Sequence, residues 1–425
     1  MATAQTITQE RSLAPIELLL SRSGPFSEED YIPEEDNVAG LKALKILVIG
    51  AGGLGCEILK DLALSGFKDI HVIDMDTIDL SNLNRQFLFR KSDVGKPKAT
   101  VAADFIMKRV KGVKVTPYYG KIQDKDDDYY MKFGIVICGL DNIEARRWIN
   151  STLYNLVDES NPDSLKPLID GGTEGFKGQA RVIIPSVTSC FECSLELIGP
   201  QVTFPICTIA NTPRLPEHCI EWASVIEWDR VFGSSKKMDT DNPEHIQWLY
   251  ETALARAHEF NIDGVSYSLT QGIVKNIIPA IASTNAIIAA SCVNEAFKIA
   301  TTCNPFLNNY MMYAGDHSVY TYTFEYQRKP NCPVCGTTAV TVRFDGNRTL
   351  QEFIDKLAEL PETKSKQPSL RTVSRSLYLR QPPQLEEITR PNLDKTLREL
   401  IEPGEEVAMT DPNLPFSVNL RVELI

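Results

Sequence analysis

The chain has 425 residues, 43% hydrophobic and 24% charged, enough for about three domains; this excludes a disulfide-stapled miniprotein and wholesale disorder. Forty-four Lys and Arg against 56 Asp and Glu give a net charge of -12, which argues against a general nucleic-acid or anionic-membrane binder. No run reaches the ~18 to 20 apolar residues of a membrane span, and no basic stretch followed by an apolar one opens the chain as a signal peptide. A cytoplasmic and nuclear location is therefore expected, and in a reducing compartment the ten cysteines call for metal, catalysis or burial rather than disulfides.

In chain order, the first residues to carry structure follow an N-terminal arm over 1–21. Leu44 to Gly50 reads as a buried strand, Gly50-Ala51-Gly52-Gly53-Leu54-Gly55 opens an amphipathic helix through Leu64, and Ile70 to Asp74 is a second strand. That is a βαβ unit. A helix over Lys98 to Val110, a strand near Val113 to Thr116 and the apolar strand Ile135 to Cys138, ending in Gly139-Leu140-Asp141, continue the alternation. The pattern predicts an α/β fold with a mostly parallel sheet whose ligands bind beyond the carboxyl ends of its strands. Next come the apolar run Leu168-Ile169-Asp170, a Gly-rich stretch from Gly171 to Gly178, and a strand from Gln179 to Ile184.

From about Pro205 the texture becomes Pro-rich loop and helix, and residues 205–270 read as an inserted helical subdomain. Pro243 to Phe260 is its main helix, capped by Asp241 or Asn242. Leu269 to Ala300, rich in Ala and Ile, reads as helix packed back into the main core, so that 22–204 and 271–336 form one domain. Residues 337–425 form a small α+β domain, with strands near Ala339 to Phe344, Leu377 to Leu379, Glu406 to Met409 and Asn419 to Leu424, and helices near Thr349 to Leu360 and Leu393 to Leu400.

Gly50, Gly52 and Gly55 fit a dinucleotide-type fingerprint: a tight turn, a close backbone approach to phosphate, and a helix packed onto its strand. The helix N-terminus offers free N–H groups to an anion, and Asp74 ends the second strand where a carboxylate can take ribose hydroxyls. Asn82 and Asn84 offer amide donors, and Arg85, with Gly95-Lys96-Pro97-Lys98 downstream, adds the positive charge that phosphoryl chemistry needs and hydride transfer does not. Asp141, at the next strand end, is placed for magnesium. Taken singly, each of these charges is as well read as a solvated surface residue.

Gly50 to Gly55, Asp74-Met75-Asp76, Ser81-Asn82-Leu83-Asn84-Arg85-Gln86-Phe87, Gly95 to Lys98 and Cys138-Gly139-Leu140-Asp141-Asn142 together resemble the adenylation domain of ubiquitin-like-protein-activating enzymes and their bacterial sulfur-carrier relatives. That family uses ATP and magnesium to adenylate the C-terminal carboxylate of a small β-grasp protein. The resemblance implies a Rossmann-like ThiF-type adenylation fold. It places Gly50, Gly52, Gly53, Gly55, Asp74, Asp76, Asn82, Arg85, Gln86, Lys98 and Asp141 around ATP, with Arg85, Lys98 and Asp141 catalytic and Asp141 on magnesium.

Cys190-Phe191-Glu192-Cys193 and Cys332-Pro333-Val334-Cys335 are two C-x-x-C knuckles, the donor set of a closed structural zinc site; a redox pair is the competing reading. Cys207, at the start of the insertion with Arg214 and His218 near it in sequence, matches the family's catalytic-cysteine segment through Cys-Thr-Ile-Ala and Pro213 to Cys219. The resemblance makes it the thioester-forming nucleophile. Cys56, Cys138, Cys219, Cys292 and Cys303 are left as buried thiols.

The order of these parts resembles the catalytic subunits of heterodimeric activating enzymes for Nedd/Rub-type modifiers. The resemblance implies a regulatory adenylation-type partner subunit, a Nedd/Rub-type modifier selected through Arg181, and a β-grasp tail that recruits the conjugating enzyme. A non-catalytic partner subunit or scaffold is the alternative, and a nicotinamide oxidoreductase leaves the knuckles and Cys207 unexplained.

Overall fold

The computed structural model describes residues 14–23, 27, 31–33, 35–158, 160–197, 206–233, 238–239, 242–274, 280–304, 306–336, 339–360, 365–372, 375–402, 405–412, 414 and 416–425. The N-terminal arm up to residue 13, and Asp241 as a candidate helix cap, lie outside these residues. The chain divides into two compact units, Met1–Glu196 with Ala280–Ile425, and Leu197–Pro279.

In the first unit, β1 (Lys45–Ile49) is an aliphatic run whose last four residues are buried, as a strand covered on both faces must be. It pairs in parallel with β2 (Asp69–Asp74) on one side and β4 (Ile135–Cys138) on the other, Val48 lying between Val72 and Ile137. β3 (Lys114–Tyr119) extends the sheet beyond β2, and β5 (Leu168–Glu174) beyond β4, again in parallel. From there the direction alternates through β6 (Lys177–Ile183), β7 (Tyr310–Ala314) and β8 (Tyr320–Phe324), giving the order β3-β2-β1-β4-β5-β6-β7-β8. Strand order reverses between β1 and β4, so a ligand crevice is expected beyond Ile49 and Cys138.

Two elements differ from the sequence reading. The Gly171 to Gly178 stretch, which the sequence pattern leaves unassigned ahead of a strand from Gln179, forms the turn end of a β-hairpin, with Glu174 opposite Lys177 across a two-residue turn. Its glycines serve packing: a Cβ on Gly178 would sit 2.5 Å from Cγ1 of Ile288, so the helix Ala282–Thr301 lies flat on the hairpin only while that position is bare. The helix expected over Leu269 to Ala300 is two helices, Tyr267–Val274 in the second unit and Ala282–Thr301 in the first. Pro279, between them in sequence, lacks the N–H a continuous helix needs and disfavours helical geometry in the residue before it.

The second unit is helical. Pro216–Trp222, a π-helical turn at Ala223–Glu227, Trp228–Phe232 and the long helix Pro243–Glu259 enclose a core of Cys219, Ile220, Ala223, Trp228, Ile246, Leu249, Ala253 and Ala257. Asn242 caps the long helix by accepting from the Glu244 N–H.

At the C-terminal end, β9 (Val340–Phe344), β10 (Ser369–Arg371), β11 (Ser376–Tyr378), β12 (Glu406–Thr410) and β13 (Val418–Leu424) form a separate sheet in the order β11-β10-β12-β13-β9. β9 and β13 are parallel, Val342 beside Val422, while the other pairs are antiparallel. The helix Leu350–Glu359 starts at a Thr349/Glu352 capping box and turns Leu350, Phe353, Ile354 and Leu357 inward, at the 3-4-7 spacing of an amphipathic face. First and last strands in parallel with a helix packed across them are the ubiquitin-fold arrangement. The helix expected over Leu393 to Leu400 is confined to Leu397–Leu400, because a second capping box, Thr396 with Glu399, starts it late.

Gly178→Ala tests the helix-on-hairpin contact. The added methyl should cost about 1–3 kcal/mol by overpacking, read as a lowered unfolding midpoint in calorimetry.

Candidate active site and sulfur cluster

At the end of β1, Gly50 turns at φ +96. A Cβ there would meet the carbonyl oxygen of Gly139 at 2.7 Å, and one on Gly55 would fall on the carbonyl oxygen of Gly50. The turn is thus wedged backbone against backbone between the ends of β1 and β4, which leaves the N-terminus of the helix Gly53–Leu64 facing the crevice. Asp74 closes the turn from β2: one carboxylate oxygen accepts from the Ala51 N–H at 2.6 Å, the other from the Asp76 N–H at 2.8 Å. Burial pushes the Asp74 carboxyl above its ordinary range, against the pull of nearby Lys98 and these two donors.

Lys98 opens the helix Lys98–Arg109, is 8% exposed, and pairs with Asp76 at 2.8 Å. Arg85 and Gln86 flank the turn: Arg85 Cγ lies 3.5 Å from where a Gly53 Cβ would stand, and Gln86 Nε2 lies 3.8 Å from the Gly52 position. Gln86 is buried, and its Oε1 has no hydrogen-bond partner among the described residues. Arg85 donates to the Ser81 carbonyl at 3.1 Å and to Asn84 Oδ1 at 3.0 Å. Asn82 is partly committed locally, its Oδ1 accepting from the Asp79 N–H at 2.9 Å. Asp141 is exposed just beyond β4, and its neighbour Asn142 caps the helix Ile143–Asn155. Glycines, Asp74, Asp76, Arg85, Gln86 and Lys98 therefore gather at one crevice, with Asp141 at its rim.

Sequence reasoning missed three residues here. Asn285 crowds Gly53 and accepts from Thr173 Oγ1 at 2.7 Å. Arg146 donates to the carbonyls of Leu140 (2.6 Å) and Gly171 (2.7 Å), fixing the residue before Asp141, and lies 3.2 Å from Asp170. Asp170 also sits 3.1 Å from Arg181. Strand pairing sets Arg181 opposite Asp170, and the helix Ile143–Asn155 brings Arg146 to the same carboxylate, so local sequence carries no signal for the triad. Arg181 itself is 3% exposed, bonded to Ser194 Oγ and lying over the rings of Phe191 at 4.6 Å and Tyr310 at 5.2 Å.

The four knuckle cysteines converge, with their sulfurs all within 4.8 Å of one another and buried. Measured pairs are Cys190 to Cys193 at 3.9 Å, Cys190 to Cys332 at 3.5 Å and Cys193 to Cys335 at 3.3 Å. A tetrahedral ion with bonds of about 2.3 Å needs sulfurs about 3.8 Å apart, so the set is compatible with zinc, whereas a disulfide would need about 2.05 Å. Inside the first knuckle, Glu192 makes a two-pronged pair with Arg147, at 2.9 and 2.5 Å, and the Phe191 N–H donates to Asn150 at 2.9 Å.

Cys207 belongs to the short helix Ile206–Asn211 of the second unit; its side chain lies outside the described part of the structure. The five cysteines outside the knuckles whose side chains are described, Cys56, Cys138, Cys219, Cys292 and Cys303, are buried. Burial pushes the thiols of Cys56, Cys138, Cys219 and Cys292 up, which keeps them protonated and unreactive.

The ThiF family profile matches residues 30–334, and a profile described as an E2 binding domain matches 343–424. The NEDD8-activating enzyme E1 catalytic subunit of Dictyostelium discoideum is 56% identical to this chain, over 96% of each. The chain belongs to the ThiF family, among the NEDD8-activating enzyme E1 catalytic subunits. Members from Schizosaccharomyces pombe and Drosophila melanogaster are 48% and 47% identical, over 95% of each chain in the first case and 98% of this chain and 96% of the other in the second. The SUMO-activating enzyme subunit 2 of D. discoideum matches only 48% of this chain and 31% of its own length. Membership of the ThiF family implies ATP, typically with magnesium.

Glu192→Ala would strand the Arg147 guanidinium, whose side chain is 13% exposed, beside the sulfur cluster. Loss of one partner of a buried pair costs about 3–5 kcal/mol, and denaturant unfolding should show it.

Proposed function

We propose that this chain activates a Nedd/Rub-type modifier in three steps and, with its ubiquitin-fold tail, passes it to a conjugating enzyme. First, a C-terminal carboxylate oxygen of the modifier attacks the α-phosphorus of ATP and pyrophosphate leaves. Second, the Cys207 thiolate attacks the acyl carbon of the adenylate, forming the thioester and releasing AMP. Third, the thiol of the conjugating enzyme takes the acyl group and Cys207 is freed. Each step makes the next possible, since a carboxylate is a poor electrophile until its oxygen is part of a good leaving group.

The observation that carries the reading is the union, on one chain, of a phosphate-type glycine turn ringed by Lys98, Arg85 and Gln86 with an E2 binding domain. Lys98 and Arg85 would bear on the phosphates, the former after exchanging its partner Asp76, and Asp74 on the ribose. Asn82, with its oxygen already used, would reach the phosphates through its amide N–H groups. Asp141 would hold magnesium, which supplies charge neutralisation at the phosphates. Cys207 is favoured as acceptor because the described cysteines outside the cluster are buried.

Zinc at Cys190, Cys193, Cys332 and Cys335 would be structural: four thiolates leave no open position. Arg181 would select the modifier; its burial beside Asp170 means that the selection works through the shape of the triad or after its rearrangement. A regulatory adenylation-type subunit would complete the enzyme, because this chain holds a single adenylation core. Cytoplasm and nucleus suit a chain that keeps reduced thiols, and among the described residues no helix is long and apolar enough to cross a membrane.

The test combines the full chain, a regulatory subunit, ATP, magnesium and either ubiquitin or a Nedd/Rub-type modifier, followed by a non-reducing gel. A thiol-labile band is expected with the Nedd/Rub-type modifier alone, and Arg181→Gln should admit ubiquitin. Cys207→Ala should abolish the band while pyrophosphate exchange persists; loss of both would contradict the division of labour. Asp141→Ala should slow exchange on the order of 100-fold, as expected when charge stabilisation at the reacting phosphate is lost.

A further inference from the structure

Helix Ile206–Asn211, which carries Cys207, is six residues long. A helix this short cannot hold itself, because nucleation costs more than so few hydrogen bonds return. Its last four carbonyls also have no partner within it. Two of them are taken by one side chain from another element: Arg256, in the long helix Pro243–Glu259, donates through Nη2 to the carbonyls of Ile209 at 3.0 Å and Ala210 at 2.5 Å. The same contact sets a positive charge against the negative end of the short helix.

Arg256 is built in rather than resting on a surface. It is 9% exposed, and its guanidinium lies 4.0 Å from the ring centre of Trp222 and 5.0 Å from that of Phe260. Among the described residues it has no carboxylate partner within ion-pair distance, and its Nε lacks a hydrogen-bond partner. Glu227 feels its charge only from beyond ion-pair distance; a buried cation so weakly compensated is expensive, and an apolar side chain would fill the space beside the two rings at lower cost. What an apolar side chain cannot supply is the grip on the two carbonyls. Downstream, His218 Nδ1 accepts the Arg214 N–H at 3.1 Å, so the stretch leaving the helix is held as well. Ile209, within the short helix itself, is 2% exposed, so the helix is also anchored by one buried side chain.

We propose that Arg256 is a positioning residue for thioester formation, fixing the backbone of the Cys207 segment by holding the carbonyls of Ile209 and Ala210. The inference rests on the reading of Cys207 as acyl acceptor. Attack on an acyl carbon needs the sulfur at near-contact distance and in line, and a displacement of about 1 Å can cost on the order of 100-fold. Arg256 acts on the second step alone, because the nucleotide crevice lies in the other unit.

The experiment uses the full chain assembled with the regulatory subunit, ATP, magnesium and the Nedd/Rub-type modifier. Arg256→Leu, which fills the space without donors, should lower the maximal single-turnover rate of thioester formation by on the order of 10- to 100-fold. The half-saturating modifier concentration and the rate of ATP–pyrophosphate exchange should not change. Arg256→Lys, which keeps the charge and a donor, should recover part of the rate. A wild-type thioester rate in Arg256→Leu overturns the inference, as does a fall in exchange in step with the thioester. A loss that follows a lowered melting midpoint and is not relieved in Arg256→Lys marks a purely structural contribution, and overturns it too. Cys207→Ala is run alongside. If it keeps the thiol-labile band, the acceptor reading itself fails; if it loses the band while Arg256→Leu is unaffected, only the positioning role fails.

Discussion

Four sulfur atoms meet from chain segments 142 residues apart, Cys190 and Cys193 against Cys332 and Cys335. Between the two knuckles run the helical unit, the helix Ala282–Thr301 and strands β7 and β8; beyond the second begins the ubiquitin-fold tail. The entropy of closing such a loop grows only with the logarithm of its length, so a long excursion is tolerated where its ends are firmly joined. Four thiolates around a cation would supply that joint and contribute folding energy directly. The first knuckle is itself pinned to the helix Ile143–Asn155 through Glu192 with Arg147 and through Phe191 with Asn150. That helix begins at Asn142, beside Asp141, so the cluster and the rim of the crevice share one rigid element.

The crevice is held by contacts in which side chains take little part. Gly50, Gly55 and Gly139 meet backbone to backbone, and Asp74 ties the turn to β2 through the Ala51 N–H. Several of the charges around it are stored as pairs: Lys98 on Asp76, Arg146 and Arg181 on Asp170. Paired charges tolerate burial where lone ones do not, and an arriving phosphate can exchange for one partner without leaving the lysine bare. Gln86, buried beside the turn with an unused oxygen, is already desolvated for a polar ligand.

The helical unit divides the labour differently. Its own core is rich in tryptophan and alanine, Trp228 packing edge-on against Trp248 at 5.2 Å, and it buries Cys219 completely. Cys207 instead belongs to a short helix held at its C-terminal end by Arg256. An acyl-accepting thiol, the role proposed for Cys207, must be reachable and cannot borrow rigidity from burial, so its placement would come through the backbone that carries it.

The amino-acid sequence by itself determined the βαβ core, the glycine turn, the knuckles and the amphipathic helix of the tail. Each is written in short-range periodicity or in residue types whose chemistry is nearly unique: glycine where no Cβ fits, and paired cysteines where sulfur must bind. The Gly171 to Gly178 stretch was opaque because bare glycines that admit a crossing helix look, locally, like those of a loop. β7 and β8 carried no distinct signal either, since β8 lies at the sheet edge and is largely exposed on both faces, without the alternation that marks a half-buried strand. Only the tertiary structure decided that Asp170 stands between Arg146 and Arg181, that Asn285 reaches Gly53, and that Arg256 grips the helix of Cys207. Each joins residues far apart in the chain, and contacts of that kind are set by strand register and helix packing, which no local pattern records.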